Sequence, residues 1–256
     1  MCGIIGVVAA PGHAAPSEEV GRAMNALIRH RGPDDDGFYR DERALLGMRR
    51  LSVIDLAGGH QPMHDADHSV QLVFNGEIYN YRELRAELAA KGHRFRGTGD
   101  GEVIPRLYEE HGLAFLPRLN GMFAIALWDR QLGRLLLARD RMGIKPLYYS
   151  LRGGSLWFAS EVKCILAARG SARAIDPLGV DQLLTFEYTA SPTTLFEDVK
   201  KLAPGGWLTV GGGKMHQGRF WSLTAVDPSP VTDVEELTSQ LRQTVLTAVR
   251  RQLASD

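Results

Sequence analysis

Successive strand-like segments joined by short turns constrain the fold of this chain more than any other feature. Residues 122–128 and 134–138 are apolar runs on either side of a turn at residues 129–133, and residues 147–150 and 156–159 continue the pattern. Regular alternation of strands and helices is missing, so the segments favour antiparallel pairing. The sequence therefore predicts an α+β fold, with helices layered outside antiparallel sheets. Further strands are predicted at residues 4–9, 37–40, 44–55 (interrupted), 70–75, 207–210 and 219–221.

Helical periodicity appears in a few separate segments. Ser17 precedes a predicted helix with an apolar stripe that includes Val20 and Met24, and residues 81–91 and 101–111 are predicted helices. Residues 223–231 read as a linker. Thr232 and Glu235 have capping-box spacing at the start of a final amphipathic helix, residues 232–256. Its apolar stripe must pack on this domain, on a longer chain, on a partner or on a second copy of the chain, as in a homodimer.

Composition excludes several classes of function. Among 256 residues, Lys plus Arg and Asp plus Glu both number 30, so the net charge gives no footprint for nucleic acid or an anionic membrane. No apolar run approaches the roughly 18 residues of a membrane-spanning helix. Two cysteines, Cys2 and Cys164, make no disulfide framework and fit a reducing compartment. We expect a cytoplasmic protein with neither a nucleic-acid nor a membrane partner.

Cys2 is the first candidate for chemistry. It follows Met1 and is small enough for aminopeptidase removal of the initiator, so the mature chain is expected to begin with Cys2. A thiol of pKa about 8.5 and an α-amino group of pKa about 7.7–8.0 would then share one residue. The amine could accept the thiol proton, as in enzymes whose nucleophile is their first residue. The simpler alternative is an apolar residue opening the strand at residues 4–9.

Four other positions could bind or activate a substrate. Asn75 and Gly76 lie between a strand and a helix, where a side-chain amide and an exposed backbone N–H could form an oxyanion hole. Arg50 could bind a carboxylate through two parallel hydrogen bonds. Asp100 lies at a helix start. The structural alternatives are an Asn-Gly turn, a surface arginine and an N-cap, respectively.

A group of histidines imitates a metal site. His60, His64 and His68 lie close to two aspartates, but Gly58, Gly59 and Pro62 break any helix that would align them. We expect a solvated loop and no metal site.

Seven motifs, in a fixed order, resemble the class II glutamine amidotransferase domain of the glutamine-hydrolysing asparagine synthetases. They are MCGI at 1–4, RGPDDDG at 31–37, RRLSVID at 49–55, NGEIYNY at 75–81, GMFA at 121–124, ARDRMGIKPLYY at 138–149 and FASEVK at 158–163. The resemblance covers residues 2–222 and implies a four-layer αββα sandwich of the N-terminal-nucleophile hydrolases.

The resemblance also implies a role for each candidate. Cys2 would attack the side-chain amide of L-glutamine, with its own α-amino group shuttling the proton. The Asn75 side chain and the Gly76 N–H would stabilise the oxyanion. The remaining residues would bind substrate: Arg50 the α-carboxylate, Glu77 and Asp100 the α-ammonium, and the backbone of Leu51, Ser52, Val53 and Ile54 the pocket wall.

In that family the ammonia passes to a second domain, which adenylates aspartate with ATP and Mg²⁺. Its Ser-Gly-Gly-x-Asp-Ser loop does not occur in this sequence, so no cofactor is expected for this chain. The resemblance thus predicts the glutaminase half of an asparagine synthetase, with residues 232–256 as the first helix of the absent synthetase domain, or a free-standing glutaminase subunit. The alternative is a catalytically silent subunit that docks on or regulates a synthetase.

Overall fold

A computed structural model describes residues 2–53, 55–56, 58–169, 173–223 and 231–253. These ranges contain twelve strands in two antiparallel sheets. The strands are β1 (Gly3–Val8), β2 (Asp35–Arg40), β3 (Ala44–Arg50), β4 (Met63–His64), β5 (Val70–Ile78), β6 (Gly121–Asp129), β7 (Arg134–Arg139), β8 (Tyr148–Arg152), β9 (Ser155–Ala159), β10 (Lys200–Lys201), β11 (Gly206–Gly211) and β12 (Lys214–Arg219). The first sheet has the order β10-β8-β9-β1-β3-β2, and the second β12-β11-β7-β6-β5-β4.

Helices cover the outer faces of both sheets. The helices are α1 (Glu18–Ala26), α2 (Tyr81–Ala90), α3 (Val103–His111), α4 (Val162–Arg169), α5 (Pro177–Phe186) and α6 (Val234–Gln252). Helices α1 and α4 pack on the first sheet, and α2 and α3 lie over the second. None of the helices in the described ranges is long and apolar enough to cross a membrane.

Alternating side chains divide the interior into three apolar layers. On β1, Ile4 and Val8 face the second sheet, whereas Ile5 and Val7 pack against α1 and α4. On β6, even-numbered residues such as Ala124 face the first sheet and odd-numbered ones face α2 and α3. This two-residue period is what a strand buried on both faces requires. Three layers of core between four layers of structure confirm the predicted αββα sandwich.

Several predicted boundaries were wrong. The strand expected over residues 44–55 ends at Arg50, and Asp55 has a positive φ of 54°, which no strand accommodates. The final hairpin turns at Gly212 and Gly213, both with positive φ, so its second strand is β12 rather than residues 219–221. Strand β12 consists mostly of exposed polar residues, so the pattern of apolar residues did not indicate a strand there.

The C-terminal helix begins one residue later than the capping box implied. The Asp233 carboxylate caps it, accepting the amides of Glu235 at 2.8 Å and Glu236 at 3.4 Å. Of the expected linker, residues 224–230 lie outside the described ranges, as do residues 254–256 of the helix segment. The division into a domain, a linker and a first synthetase helix stays a prediction.

Candidate active site

A cavity of about 200 Å³ opens where β1 of the first sheet faces β5 of the second. It is smaller than the roughly 300–1,000 Å³ of sites for drug-sized ligands, which suits a small metabolite. The predicted site residues that line it are Cys2, Arg50, Leu51, Val53, Asn75, Gly76, Glu77 and Asp100. Ser52 is not part of the wall, and Ile54 lies outside the described residues.

Cys2 stands immediately before β1. The Leu51 N–H donates to the Cys2 Sγ at 3.3 Å, and the Leu51 carbonyl oxygen lies 3.6 Å from the same sulfur. Burial raises the pKa of the Cys2 thiol; the Leu51 amide, the chain's N-terminal ammonium, Arg50 and Lys145 act in the opposite direction. The sulfur is thus desolvated but surrounded by groups that favour its thiolate form.

A network of charged side chains holds the backbone of Cys2. Arg31 donates through Nε to the Cys2 carbonyl oxygen at 3.1 Å and through its guanidinium to Glu161 at 2.9 Å. The same carboxylate contacts His30 at 2.8 Å and Lys163 at 3.0 Å. Burial would raise the pKa of Glu161, but these donors lower it to about 2. Arg31 and Glu161 belong to two of the seven motifs, and together they fix the start of β1.

The loop after β3 is folded around Arg50. Its guanidinium donates to the carbonyl oxygens of Asp55 at 2.6 Å and Leu56 at 3.3 Å. Asp34 accepts the Ser52 N–H at 2.9 Å, which fastens the loop to the segment just before β2. Ser52 therefore supports the loop through its backbone N–H.

Asn75 and Gly76 both line the cavity, and each carries a hydrogen-bond donor. The Asn75 side chain is 1% exposed, and its Nδ2 has no hydrogen-bond partner within the part of the chain that the structure describes. A Cβ on Gly76 would collide with the Met122 carbonyl oxygen, so only glycine fits. Buried amide groups normally have hydrogen-bond partners, so the unpartnered Asn75 donor is an exception that needs an explanation.

Strand register shows where the Gly76 N–H points. Gly76 pairs with Phe123, whose own N–H and carbonyl bind Asp140 on the β7 side. In an antiparallel ladder such a pair exchanges no hydrogen bonds, so the Gly76 N–H points off the opposite edge of β5. The amides with the same orientation confirm this, because Phe74 donates to Gln61 at 2.7 Å and Ile78 to Asp100 at 2.7 Å.

Two carboxylates, those of Glu77 and Asp100, also line the cavity. Asp100 is 8% exposed and accepts the Ile78 N–H. Burial, with the nearby negative charge of Glu77, raises the pKa of Asp100 to about 6, against the opposing effect of the Ile78 amide. The loop before it is fastened to the Arg50 loop, since Asp55 accepts the amides of Thr98 at 2.8 Å and Gly99 at 3.0 Å.

The cavity wall includes residues that sequence reasoning gave no role. They are Gly59, Gln61, Met63, Phe74, Gly99, Met122 and Lys145. Only Lys145 among them is a cation, and its motif was recognised, but nothing in a single sequence shows that a lysine is buried.

The other cysteine and the histidines lie elsewhere. Cys164 lies on α4 and is buried between α1 and the first sheet, where burial raises the pKa of its thiol to about 12. His60 contacts Asp35 at 2.8 Å, and His64 stacks on His68 with ring centroids 3.6 Å apart. The described residues contain no cluster of three or more His, Cys, Asp or Glu placed to hold a metal ion.

A cysteine at the start of a four-layer αββα sandwich defines the N-terminal-nucleophile class of fold. A solved structure, glutamine phosphoribosylpyrophosphate amidotransferase from B. subtilis, shares this fold with a TM-score of 0.62 at 18% identity, covering 86% of this chain and 49% of that one. A profile of the glutamine amidotransferase domain matches residues 1–221. The chain belongs to the class II glutamine amidotransferase domain family.

Curated relatives are much longer than this chain. Asparagine synthetase [glutamine-hydrolyzing] 1 of Bacillus subtilis is 38% identical over 260 residues, covering 100% of this chain and 40% of the relative. An amidase of Gibberella zeae is 36% identical over 273 residues, with the same coverage. The chain is homologous to part of these proteins and spans about two fifths of their length.

Proposed function

We propose that this domain hydrolyses the side-chain amide of L-glutamine to glutamate and ammonia. One observation carries the proposal: Asn75 and Gly76 line the cavity that also contains Cys2. The buried Asn75 Nδ2 has no hydrogen-bond partner among the described residues, and the Gly76 N–H points off the edge of β5. Buried donors without partners suit an oxyanion that forms only during acyl transfer. A nucleophile opposite an oxyanion hole is the minimum that amide hydrolysis through a covalent intermediate requires.

Charges around the cavity suit the other end of glutamine. Arg50 offers a guanidinium to the α-carboxylate, and Glu77 and Asp100 offer carboxylates to the α-ammonium. Binding the amino-acid end holds the side-chain amide toward Cys2. Leu51 and Val53 supply the apolar contact for the methylene groups.

The chemistry follows from removal of Met1. The Cys2 Sγ attacks the amide carbon as its proton passes to the freed α-amino group, and the oxyanion is held by Asn75 and Gly76. The α-ammonium then protonates the leaving nitrogen, so ammonia departs and a γ-glutamyl thioester remains. Water, deprotonated by the same amine, attacks the thioester and releases glutamate with the thiol restored.

In this proposal, a second domain or subunit consumes the ammonia. A synthetase domain or subunit adenylates aspartate or a related carboxylate with ATP and Mg²⁺ and takes the ammonia to form the amide. Support comes from the asparagine synthetase relatives, of which this chain matches only 40%. The reaction belongs in the cytoplasm, where ATP and free amino acids are available and both thiols stay reduced.

Covalent trapping tests the nucleophile. We expect a glutamine analogue with an electrophilic carbon in place of the side-chain amide to label Cys2 stoichiometrically, with Met1 absent from the labelled peptide. Cys164 is the internal control, because its buried thiol should stay unlabelled. Excess glutamine should protect Cys2. Label on Cys164 alone, or unprotected labelling of Cys2, would remove the basis of the proposal.

A further inference from the structure

Lys145 is a buried cation in the cavity wall. Its side chain is 5% exposed and shares the cavity with Cys2 and Glu77. Unlike Arg31, which is bonded to Glu161, the Lys145 ammonium makes no ion pair or hydrogen bond with another described residue. Burying an ammonium without a close partner is costly, so a protein retains one chiefly where it acts on another charge.

The backbone that carries Lys145 is clamped on both sides. The Asp140 carboxylate, itself 1% exposed, accepts the amides of Ile144 at 2.9 Å and Lys145 at 3.0 Å. Arg139 donates to the carbonyl oxygens of Gly143 at 2.6 Å and Lys145 at 2.8 Å. These bonds hold the backbone of Lys145 on both sides and so fix the point from which its side chain enters the cavity wall.

The same carboxylate connects this loop to the oxyanion donors. Asp140 also accepts the N–H of Phe123 at 3.1 Å, and Phe123 is the partner of Gly76 in the β5–β6 ladder. One buried carboxylate therefore holds both the backbone of Lys145 and the strand residue that pairs with Gly76.

Charges of both signs surround the ammonium. Burial lowers the pKa of Lys145, whereas Glu77, Cys2 and Asp140 raise it and Arg31 lowers it further. At Cys2, Arg50 and Lys145 are the side-chain cations that favour the thiolate. In the proposed function, Arg50 is neutralised by the substrate carboxylate and Glu77 by the substrate ammonium. Lys145 is then the charge left to act on the nucleophile.

We propose that Lys145 is a positioning residue that acts electrostatically through Cys2. Its fixed positive charge favours the thiolate over the thiol and the neutral α-amino group over the ammonium. It neither gives nor takes a proton itself; the thiol proton goes to the α-amine. The inference rests on the proposed function. In it, the Lys145 charge is what allows the Cys2 thiolate and the neutral α-amino group to be populated near neutral pH.

Alkylation of Cys2 tests this coupling without using glutamine. The full chain carrying Lys145→Met, Lys145→Arg or the surface control Lys214→Met is treated with iodoacetamide from pH 5 to 10, and modification of Cys2 is followed by mass spectrometry. We expect Lys145→Met to shift the alkylation midpoint upward by about one pH unit. Lys145→Arg and Lys214→Met should match the wild type within about 0.3 pH unit.

Glutamine hydrolysis gives a second readout. Lys145→Met should lower kcat/KM about tenfold at pH 7, and Lys145→Arg should restore it, because arginine keeps the charge but cannot act as a base. A Lys145→Met alkylation profile identical to the wild type overturns the proposal, as does an Arg variant as impaired as the Met variant. If Lys145→Met does not fold, Lys145→Gln takes its place. A shifted profile in a chain without glutaminase activity would refute the proposed function but not the coupling.

Discussion

At the residue scale, the cavity separates two kinds of interaction. All five residues concerned line the cavity. Under the proposed function, Asn75 and Gly76 would donate to a charge that exists only in the transition state, whereas Arg50, Glu77 and Asp100 would meet charges that glutamine carries in solution. Interactions of the first kind raise kcat, and those of the second kind chiefly lower KM. The kinetic signature of a variant therefore identifies which role its residue has.

Replacing Asn75 tests the oxyanion role. Asn75→Ala should lower kcat for glutamine hydrolysis about 10²–10³-fold and change KM little. Asp100→Asn should instead raise KM, and the exposed Asn120→Ala is a matched control for loss of an amide. Steady-state kinetics of the three variants decide the matter. If Asn75→Ala and Asp100→Asn gave the same signature, the assignment of roles would be wrong.

The raised pKa of Asp100 predicts how glutamine affinity depends on pH. Above a pKa of about 6, the carboxylate is charged and attracts the substrate ammonium; below it the attraction is lost. In a Cys2→Ala background, we expect the glutamine Kd at pH 5 to be about tenfold weaker than at pH 7. Adding Asp100→Asn should flatten the dependence. Calorimetric Kd values that stay constant from pH 7 to 5 in Cys2→Ala would contradict this role.

The same shift carries a stability cost. Because the folded-state pKa of Asp100 exceeds its unfolded value of about 3.9, its contribution to stability falls as the pH rises from about 4 to about 6. A buried carboxylate that weakens the fold at neutral pH is one retained for binding.

The sequence alone could name six residues that line the cavity: Cys2, Arg50, Asn75, Gly76, Glu77 and Asp100. All but Asp100 lie in one of the seven motifs, each of which has an unusual residue order. Lys145 and Asp140 lay in a recognised motif too, but their importance comes from burial and from hydrogen bonds to a loop. The hydrogen bond from the Ser52 N–H to Asp34 could not be predicted for the same reason, because residue types do not show which backbone groups they bind.

At the element scale, the free edge of β5 is the decisive feature. Strand β4 pairs only with Gln71 and Leu72, so the amides of Phe74, Gly76 and Ile78 are left for Gln61, the cavity and Asp100. A longer neighbouring strand would occupy the Gly76 N–H. The site thus depends on where a two-residue strand stops, as much as on the residues in it.

A second element-scale device is the link between α4 and the start of β1 through Glu161. Its pKa of about 2 lies below the unfolded value of about 4.3, so its stabilisation is complete above pH 4.5 and is lost as the pH falls toward 2. Glu161→Gln should lower the free energy of unfolding at pH 7 by about 1–2 kcal/mol, discounted for partial exposure.

Urea titrations of Glu161→Gln between pH 2 and 7 measure this difference. The difference in the free energy of unfolding between the wild type and the variant should become smaller as the pH falls from about 4.5 to 2. The exposed Glu197→Gln is the control. A gap that does not change with pH would show that the ion network does not hold the start of β1.

Elements with regular apolar alternation were predictable, and the others were not. The β6–β7 hairpin and the outer helices α2 and α3 follow their hydrophobic periods closely. Strand β12 is exposed and polar, β4 is two residues long, and α4 and α5 received no helical prediction. Helix α5 did carry a local signal that was missed, because the Asp176 carboxylate caps it and Pro177 lies in its first turn.

At the scale of the whole molecule, every described site residue lies between Cys2 and Lys145, inside the matched domain of residues 1–221. Helix α6 contributes nothing to the cavity and has no buried residue, although its stripe includes Val234, Leu241 and Val249. Under the proposed function, this stripe would pack against a synthetase domain or subunit. Glutamine hydrolysis is therefore expected of this chain alone, whereas amide synthesis is not.

The most direct test is the release of glutamate from L-glutamine by the purified 256-residue chain. We expect equimolar glutamate and ammonia, abolished in a folded Cys2→Ala variant, and no asparagine when aspartate, ATP and Mg²⁺ are added. Absence of glutamate formation by wild-type protein whose first residue is shown to be Cys2 would contradict the account and favour a silent docking subunit. Wild-type turnover by Cys2→Ala would contradict it equally.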